Sequence, residues 1–227
     1  MTKNIKLSYP NTIELEDLKI LFNKENYDLL DIKIKPLIQK YSNVPMLYNI
    51  LGVSQSSRKM FKEAIVNFEK AIKFDGDNAA AYANKGVAFA ANEDYISATS
   101  EFSRAIEIDP KEINYYQNRA RAFELSGKYD FAIKDYDSIL DLNSQMPDVF
   151  FLRANAYIAL GQYELAVNDY GKAISLAPLF EDAYLKRAEV YFQAQQFDLA
   201  IADYDKLVEI KPDSTAVHNG LGLARYY

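Results

Sequence analysis

Cysteine is absent from this sequence, as is tryptophan, and histidine occurs once, at His218. Without cysteine the chain holds no disulfide, no thiolate nucleophile and no Cys/His zinc site. Hydrolase chemistry of the Ser-His-Asp kind would have His218 as its one candidate base. Long apolar runs are missing too: no stretch approaches the ~18 residues of a membrane span. The opening segment, Met1 to Asp17, carries Lys3 and Lys6 but no run of about 7 to 15 apolar residues behind them, so it does not read as a secretory signal. There is no Asn-x-Ser/Thr sequon. Together these absences favour a reducing, cytoplasmic setting. Lysine and arginine total 26 against 32 acids, net −6, which gives no electrostatic footprint for nucleic acid or an anionic membrane.

What is present is a globular balance, 49% apolar and 26% charged, with 18 tyrosines and 13 phenylalanines. That balance excludes disorder along the whole length. The rings recur with a period of 34 residues. Ala64, Ala98, Ala132, Ala166 and Ala200 keep this interval, as do Phe68, Phe102, Tyr136, Tyr170 and Tyr204. So do Tyr48, Tyr82, Tyr116, Phe150, Tyr184 and His218, which makes His218 a member of a packing column before it is a candidate base. A small-residue column runs Gly52, Gly86, Ala120, Ala154, Ala188 and Gly222. Pro110, Pro178 and Pro212 share a column with Gly76 and Ser144, all residues that end helices or make turns.

Each unit holds two stretches with apolar spacing of three and four. In the copy at 181–214 they run from Asp182 to about Gln195 and from Asp198 to Glu209, with Gln195-Gln196 standing where other copies carry Gly127 and Gly161. The unit is a helical hairpin. The small column leaves a hole in the first helix where a neighbouring aromatic seats. These residues resemble the tetratricopeptide repeat, as in Tyr82, Gly86, Phe89, Ala98, Phe102, Ala105 and Pro110. The resemblance implies an all-α, right-handed α-solenoid. It covers five repeats at 45–78, 79–112, 113–146, 147–180 and 181–214. Residues 1–44 form an N-terminal segment with a degenerate hairpin in which Pro36 should bend or end the second helix. Residues 215–227 supply one further helix, a partial sixth repeat or cap.

A second column pair couples the two helices of a unit. Lys85, Arg119, Arg153 and Arg187 stand 16 positions before Glu101, Asp135, Asp169 and Asp203, while Leu51 in the first repeat stands before the neutral Asn67. Both members change together, which reads as an ion pair repeated four times.

In the family the first helices line a concave groove. By phase the lining begins Met46, Asn49, Ile50 and Val53, then Ala80, Ala83, Asn84 and Val87. It continues through Asn118 and Arg121, then Phe151 and Asn155, then Lys186. Asn84 and Asn118 share a phase, and an asparagine amide both donates and accepts, so a ladder of them can hold a peptide backbone with little regard for side chains. The alternative is that these amides are solvated or bonded to a neighbouring helix, and that Phe151 is buried. Some family members clamp an acidic peptide terminus with lysine, asparagine and arginine. Here Ala83, Val87, Asp148 and Leu152 replace most of that set and Asn118 alone matches, so such a ligand is disfavoured. Asp148 and Asp182 suggest tolerance for a basic segment.

The reading is a non-catalytic scaffold or adaptor that binds a protein or peptide partner in the groove through Asn49, Ala83, Asn84, Val87, Asn118, Arg121, Phe151, Asn155 and Lys186. No catalytic residue, metal site or cofactor is implied; Asp75-Gly76-Asp77-Asn78 lacks the spacing of a calcium loop and reads as an inter-repeat turn. One rival is the binding arm of a larger enzyme of the glycosyl- or sulfotransferase type, cut at residue 227. The other is a scaffold that self-associates through its C-terminal helix, which carries Leu223, Tyr226 and Tyr227.

Overall fold

The structure, a computed structural model, describes residues 9–227. The reading of the opening segment as no secretory signal rests partly on residues 1–8, outside the described ones. Among the described residues there are thirteen α-helices and no strand. None of these helices is long and apolar enough to cross a membrane.

The chain divides into two compact units, Met1–Ala122 and Phe123–Tyr227. The first holds α1 (Thr12–Asn23), α2 (Tyr27–Lys40), α3 (Pro45–Ser57), α4 (Phe61–Phe74), α5 (Ala79–Ala91) and α6 (Tyr95–Ile108). The boundary falls inside α7 (Ile113–Leu125). The second holds α8 (Tyr129–Leu142), α9 (Pro147–Ala159), α10 (Tyr163–Leu176), α11 (Glu181–Gln193), α12 (Phe197–Ile210) and α13 (Thr215–Tyr226). From α3 onward every first helix and every second helix starts 34 residues after its predecessor.

One turn geometry makes all six hairpins. Glu25, Lys59, Glu93, Gly127, Gly161 and Gln195, spaced by 34, have φ of 54°, 62°, 62°, 74°, 72° and 59°. The left-handed conformation stops the first helix, and the next amide reaches back to close it: Met60 N–H to Gln55 O, Asp94 to Phe89, Gln196 to Tyr191. Glycine suits this position, yet four of six copies hold a residue that has a Cβ there. This turn also ends α11 at Gln193, two residues earlier than apolar spacing alone implies.

Helix α2 runs through Pro36 to Lys40, so the proline does not end it. Pro36 and Ile32, whose carbonyl loses its i+4 donor, both lie on the exposed face, where water can take the missing N–H's place.

In the first unit, α1 to α3 close over Leu18, Leu21, Leu30, Ile34, Val44 and Leu47, all buried. Farther along, alanines and rings alternate, with Ala64, Phe68 and Ala88 in one cluster and Ala83, Ala98, Phe102 and Ala105 in another. The glycines show why the small column exists. A Cβ on Gly52 would lie 2.6 Å from the Phe68 ring, and one on Gly86 2.8 Å from Phe102. In the second unit the column breaks at its last member: nothing lies within 4 Å of a Cβ on Gly222. There Gly220 makes the close approach: a Cβ on it would lie 2.6 Å from the ring of Tyr204 on the preceding helix.

Candidate functional site

The charged columns come together as expected in the second, fourth and fifth repeats. Lys85 Nζ lies 3.0 Å from Glu101; Arg153 reaches Asp169 through Nε at 2.6 Å and Nη2 at 2.9 Å; Arg187 reaches Asp203 at 2.9 and 2.7 Å. Of the fourth expected pair, Arg119 belongs to the first unit and Asp135 to the second. The structure adds a partner that pairing within a repeat misses. Three of the cations also reach back sixteen residues to the preceding second helix: Lys85 to Glu69 at 3.2 Å, Arg119 to the Ser103 hydroxyl at 2.8 Å, Arg153 to Asp137 at 2.5 Å, while Arg187 has Gly171 at that position. One side chain thus ties three helices. The rings three before and four after sit over it, Phe150 and Tyr157 about Arg153, Tyr184 and Tyr191 about Arg187. Burial alone would lower the pKa of Arg153, but hydrogen bonds and charge from Asp169, then Asp137, outweigh it and raise it. This network is packing machinery and leaves no free cationic stripe for a ligand.

His218 is also structural: its Nε2 lies 2.7 Å from the Pro212 carbonyl. Tyr48 and Tyr116 in the same column donate to the carbonyls six residues back, Ser42 and Pro110. The Asp75–Asn78 turn caps α5, with the Asn78 side chain accepting from Ala81 N–H. Among the described residues no group of acids and histidines is placed to hold a metal.

The surface left for binding in the first unit is the face of its first helices. Between α1 and α3 lies an apolar pocket of about 370 Å³ walled by Leu15, Phe22, Met46, Ile50 and Val53. A second, of about 410 Å³, is walled by Val53, Phe61, Phe68, Val87 and Ala91, with Ser56, Ser57 and Lys59 also lining it, so Val53 serves both. Asn49 lines the first and Asn84 the second. Asn84 Nδ2 donates to Asn49 Oδ1 at 3.0 Å, which bridges the two pockets with an amide pair. Asn84 therefore finds its neighbour one repeat earlier, in Asn49 on α3, rather than as a rung with Asn118. Val87 and Met46 are each 40% exposed on this face. Ala83 is 6% exposed within the α5–α6 core, so its methyl is committed to packing and not offered to a ligand. Asn118 is half-buried on α7 and Arg121 exposed.

In the second unit the expected lining residues already have partners. The Phe151 ring packs 5.0 Å from Phe180 and 5.7 Å from Tyr170. Asn155 Oδ1 accepts from the Tyr170 hydroxyl at 2.7 Å, and Lys186 pairs with Glu189 at 2.8 Å.

Stacked helical hairpins whose buried columns repeat every 34 residues define a class, the all-α repeat proteins that serve as interaction scaffolds. Two models described as tetratricopeptide repeat match the chain, one over residues 79–112 and the other over 151–215. Over these residues the chain belongs to the tetratricopeptide repeat family. No curated protein sequence matches it. Among solved structures it is similar to YrrB, a tetratricopeptide repeat protein with an unusual peptide-binding site, at TM-score 0.69 and 18% identity over 86% of this chain and 98% of that one. It is similar to the C-terminal part of a tetratricopeptide repeat protein from Cytophaga hutchinsonii, at TM-score 0.80 and 22% identity over 93% and 85%. A third is MamA, at TM-score 0.68 and 21% identity over 74% and 92%. At these identities the likeness is one of fold.

Proposed function

We propose that the chain is a non-catalytic adaptor that holds an extended segment of a partner protein against the first-helix face of its first unit. The observation that carries this reading is the pair of pockets, the first apolar and the second mixed, joined by the Asn49–Asn84 amide pair. Apolar pockets supply anchoring area, and amides satisfy the backbone polar groups that an extended segment brings with it. Asn118 and Arg121 continue the lining on α7. The shared fold with YrrB, a protein with a peptide-binding site, supports the reading. The cytoplasmic setting read from the composition belongs to the same proposal.

The test is a peptide display selection followed by anisotropy titrations with wild type and Val87→Asp. Val87 is exposed enough for the substitution to leave the fold intact, which a circular dichroism melt verifies. A tenfold or greater loss of affinity for the selected peptides is expected; unchanged affinity for all of them would overturn the assignment.

A further inference from the structure

Among the described residues only one side of α13 is covered. Val217, Leu221 and Ala224 are buried there, and Gly220 faces Tyr204 of α12. The opposite side carries Thr215, Asn219, Gly222, Leu223 and Tyr226, which share one stripe by steps of three and four, and all five are exposed. This stripe holds one empty seat and one free ring. Gly52 and Gly86 of the small column each face a phenylalanine ring, whereas nothing lies within 4 Å of a Cβ on Gly222. Tyr226, one turn farther on, is 82% exposed, and Leu223 between them 54%. No charge stands on the stripe. The helix's Arg225 bonds Asp205 at 2.8 Å, and His218 on the flank lies 2.7 Å from the Pro212 carbonyl.

A seat and a ring one turn apart on one helix fit a second copy of that helix run antiparallel. A helical side chain leans toward its own N-terminus, so the Tyr226 ring lies over the level of Gly222 and Leu223. With a two-fold axis crossing at that level, each ring meets the other copy's Gly222, and the two Leu223 side chains meet at the axis. One contact fills both seats and covers both rings, and the uncharged stripe sets no like charges against each other across the axis. We infer that α13 is a dimerisation helix: two copies of this chain pair through it, antiparallel, with Tyr226 of each seated on Gly222 of the other. The surface belongs to the second unit and to none of the first-unit pockets, so the inference stands apart from the adaptor reading and adds a second copy as a partner. One face of a 12-residue helix is small for an interface, so the pair is weak and concentration-dependent.

Sedimentation equilibrium of the 227-residue chain from about 5 to 500 μM should show monomer passing to dimer and nothing larger. Tyr226→Ala should weaken the dimer about tenfold or more. So should Gly222→Gln, which fills the seat while improving helix propensity. Both positions are exposed, and circular dichroism melts at low concentration verify that the variants fold. Because the chain has no cysteine, Leu223→Cys supplies a single thiol. Mild oxidation should join two copies through it at the axis. Thr215→Cys, about two turns away, should stay unlinked, since a disulfide needs Cα atoms within about 7 Å. A monomer at every concentration, growth past two copies, indifference to both Tyr226→Ala and Gly222→Gln, or crosslinking through Thr215→Cys in preference to Leu223→Cys would each overturn the inference. Peptide affinity is read separately through Val87→Asp, so failure of either reading leaves the other in place.

Discussion

Arg153 and Asp169 form a two-pronged hydrogen bond across their hairpin, at 2.6 and 2.9 Å, with the carboxylate 2% exposed. Removing the guanidinium leaves that buried charge with Lys172 alone, 3.5 Å away, which costs up to about 3–5 kcal/mol, more than loss of an exposed pair. Arg153→Leu should therefore destabilise the chain strongly, and adding Asp169→Asn should restore part of the loss. Urea melts of the single and double variants check this. Lys206→Ala, at the exposed Lys206–Glu209 pair, is the control and should leave the melt nearly unchanged.

The glycine seats predict opposite outcomes for one substitution. At Gly52 and Gly86 alanine drives a Cβ into a buried ring, an overpacking worth about 1–3 kcal/mol of destabilisation. At Gly222 space is open, and alanine should stabilise the helix by up to about 1 kcal/mol. Thermal melts of the three variants separate the cases, and Gly52→Ala should be relieved by Phe68→Leu.

At the hairpin turns, residues with a Cβ pay for the left-handed backbone. Gln195→Gly and Glu93→Gly should each stabilise by about 1 kcal/mol, whereas Gly161→Ala should destabilise by a similar amount. Chemical denaturation reads both signs.

Alkaline pH should loosen the chain through groups whose pKa the fold raises. For Lys85 burial pulls the value down, but the hydrogen bond and charge of Glu101, then those of Glu69, outweigh it and lift it above the ordinary 10.5. Burial lifts Tyr170 and Tyr204 above 10.0, with a smaller push from Glu189. A raised value means the contribution is whole below the unfolded pKa and is lost as pH rises through the folded one. Stability should therefore hold up to about pH 10 and fall above it. Lys85→Arg keeps the cation charged and should flatten part of that fall, and Tyr170→Phe should remove its own share, both measured by denaturation between pH 8 and 12.

The all-α hairpin fold was legible because packing demands recur at one interval, so Ala64, Phe68 and Gly52 each announce themselves by repetition. Pairs inside a hairpin were legible for the same reason, as Arg187 and Asp203 show. The reach of Arg153 back to Asp137 crosses from one repeat into the one before, so pairing within a repeat does not reveal it, although Glu69, Ser103 and Asp137 form a column of their own. Asn49 and Asn84 are 35 residues apart, one off the period, so comparison by phase sets them in different columns while the helices bring them together. Ala83 has the phase of a lining residue, yet a methyl is short enough for α6 to cover, and phase alone does not weigh size. Asn155 looked available because its bond comes from the hydroxyl of Tyr170, a ring the pattern assigned to packing alone.

The central claim is that the face carrying Asn49 and Asn84 holds a partner's backbone. Its most direct measurement is a heteronuclear NMR titration of the labelled chain with a display-selected peptide, following the side-chain amide signals of these two residues. The account predicts that both shift and saturate with the binding isotherm, together with the methyls of Val53 and Val87. Saturable binding that leaves all four in place and moves signals elsewhere would contradict it.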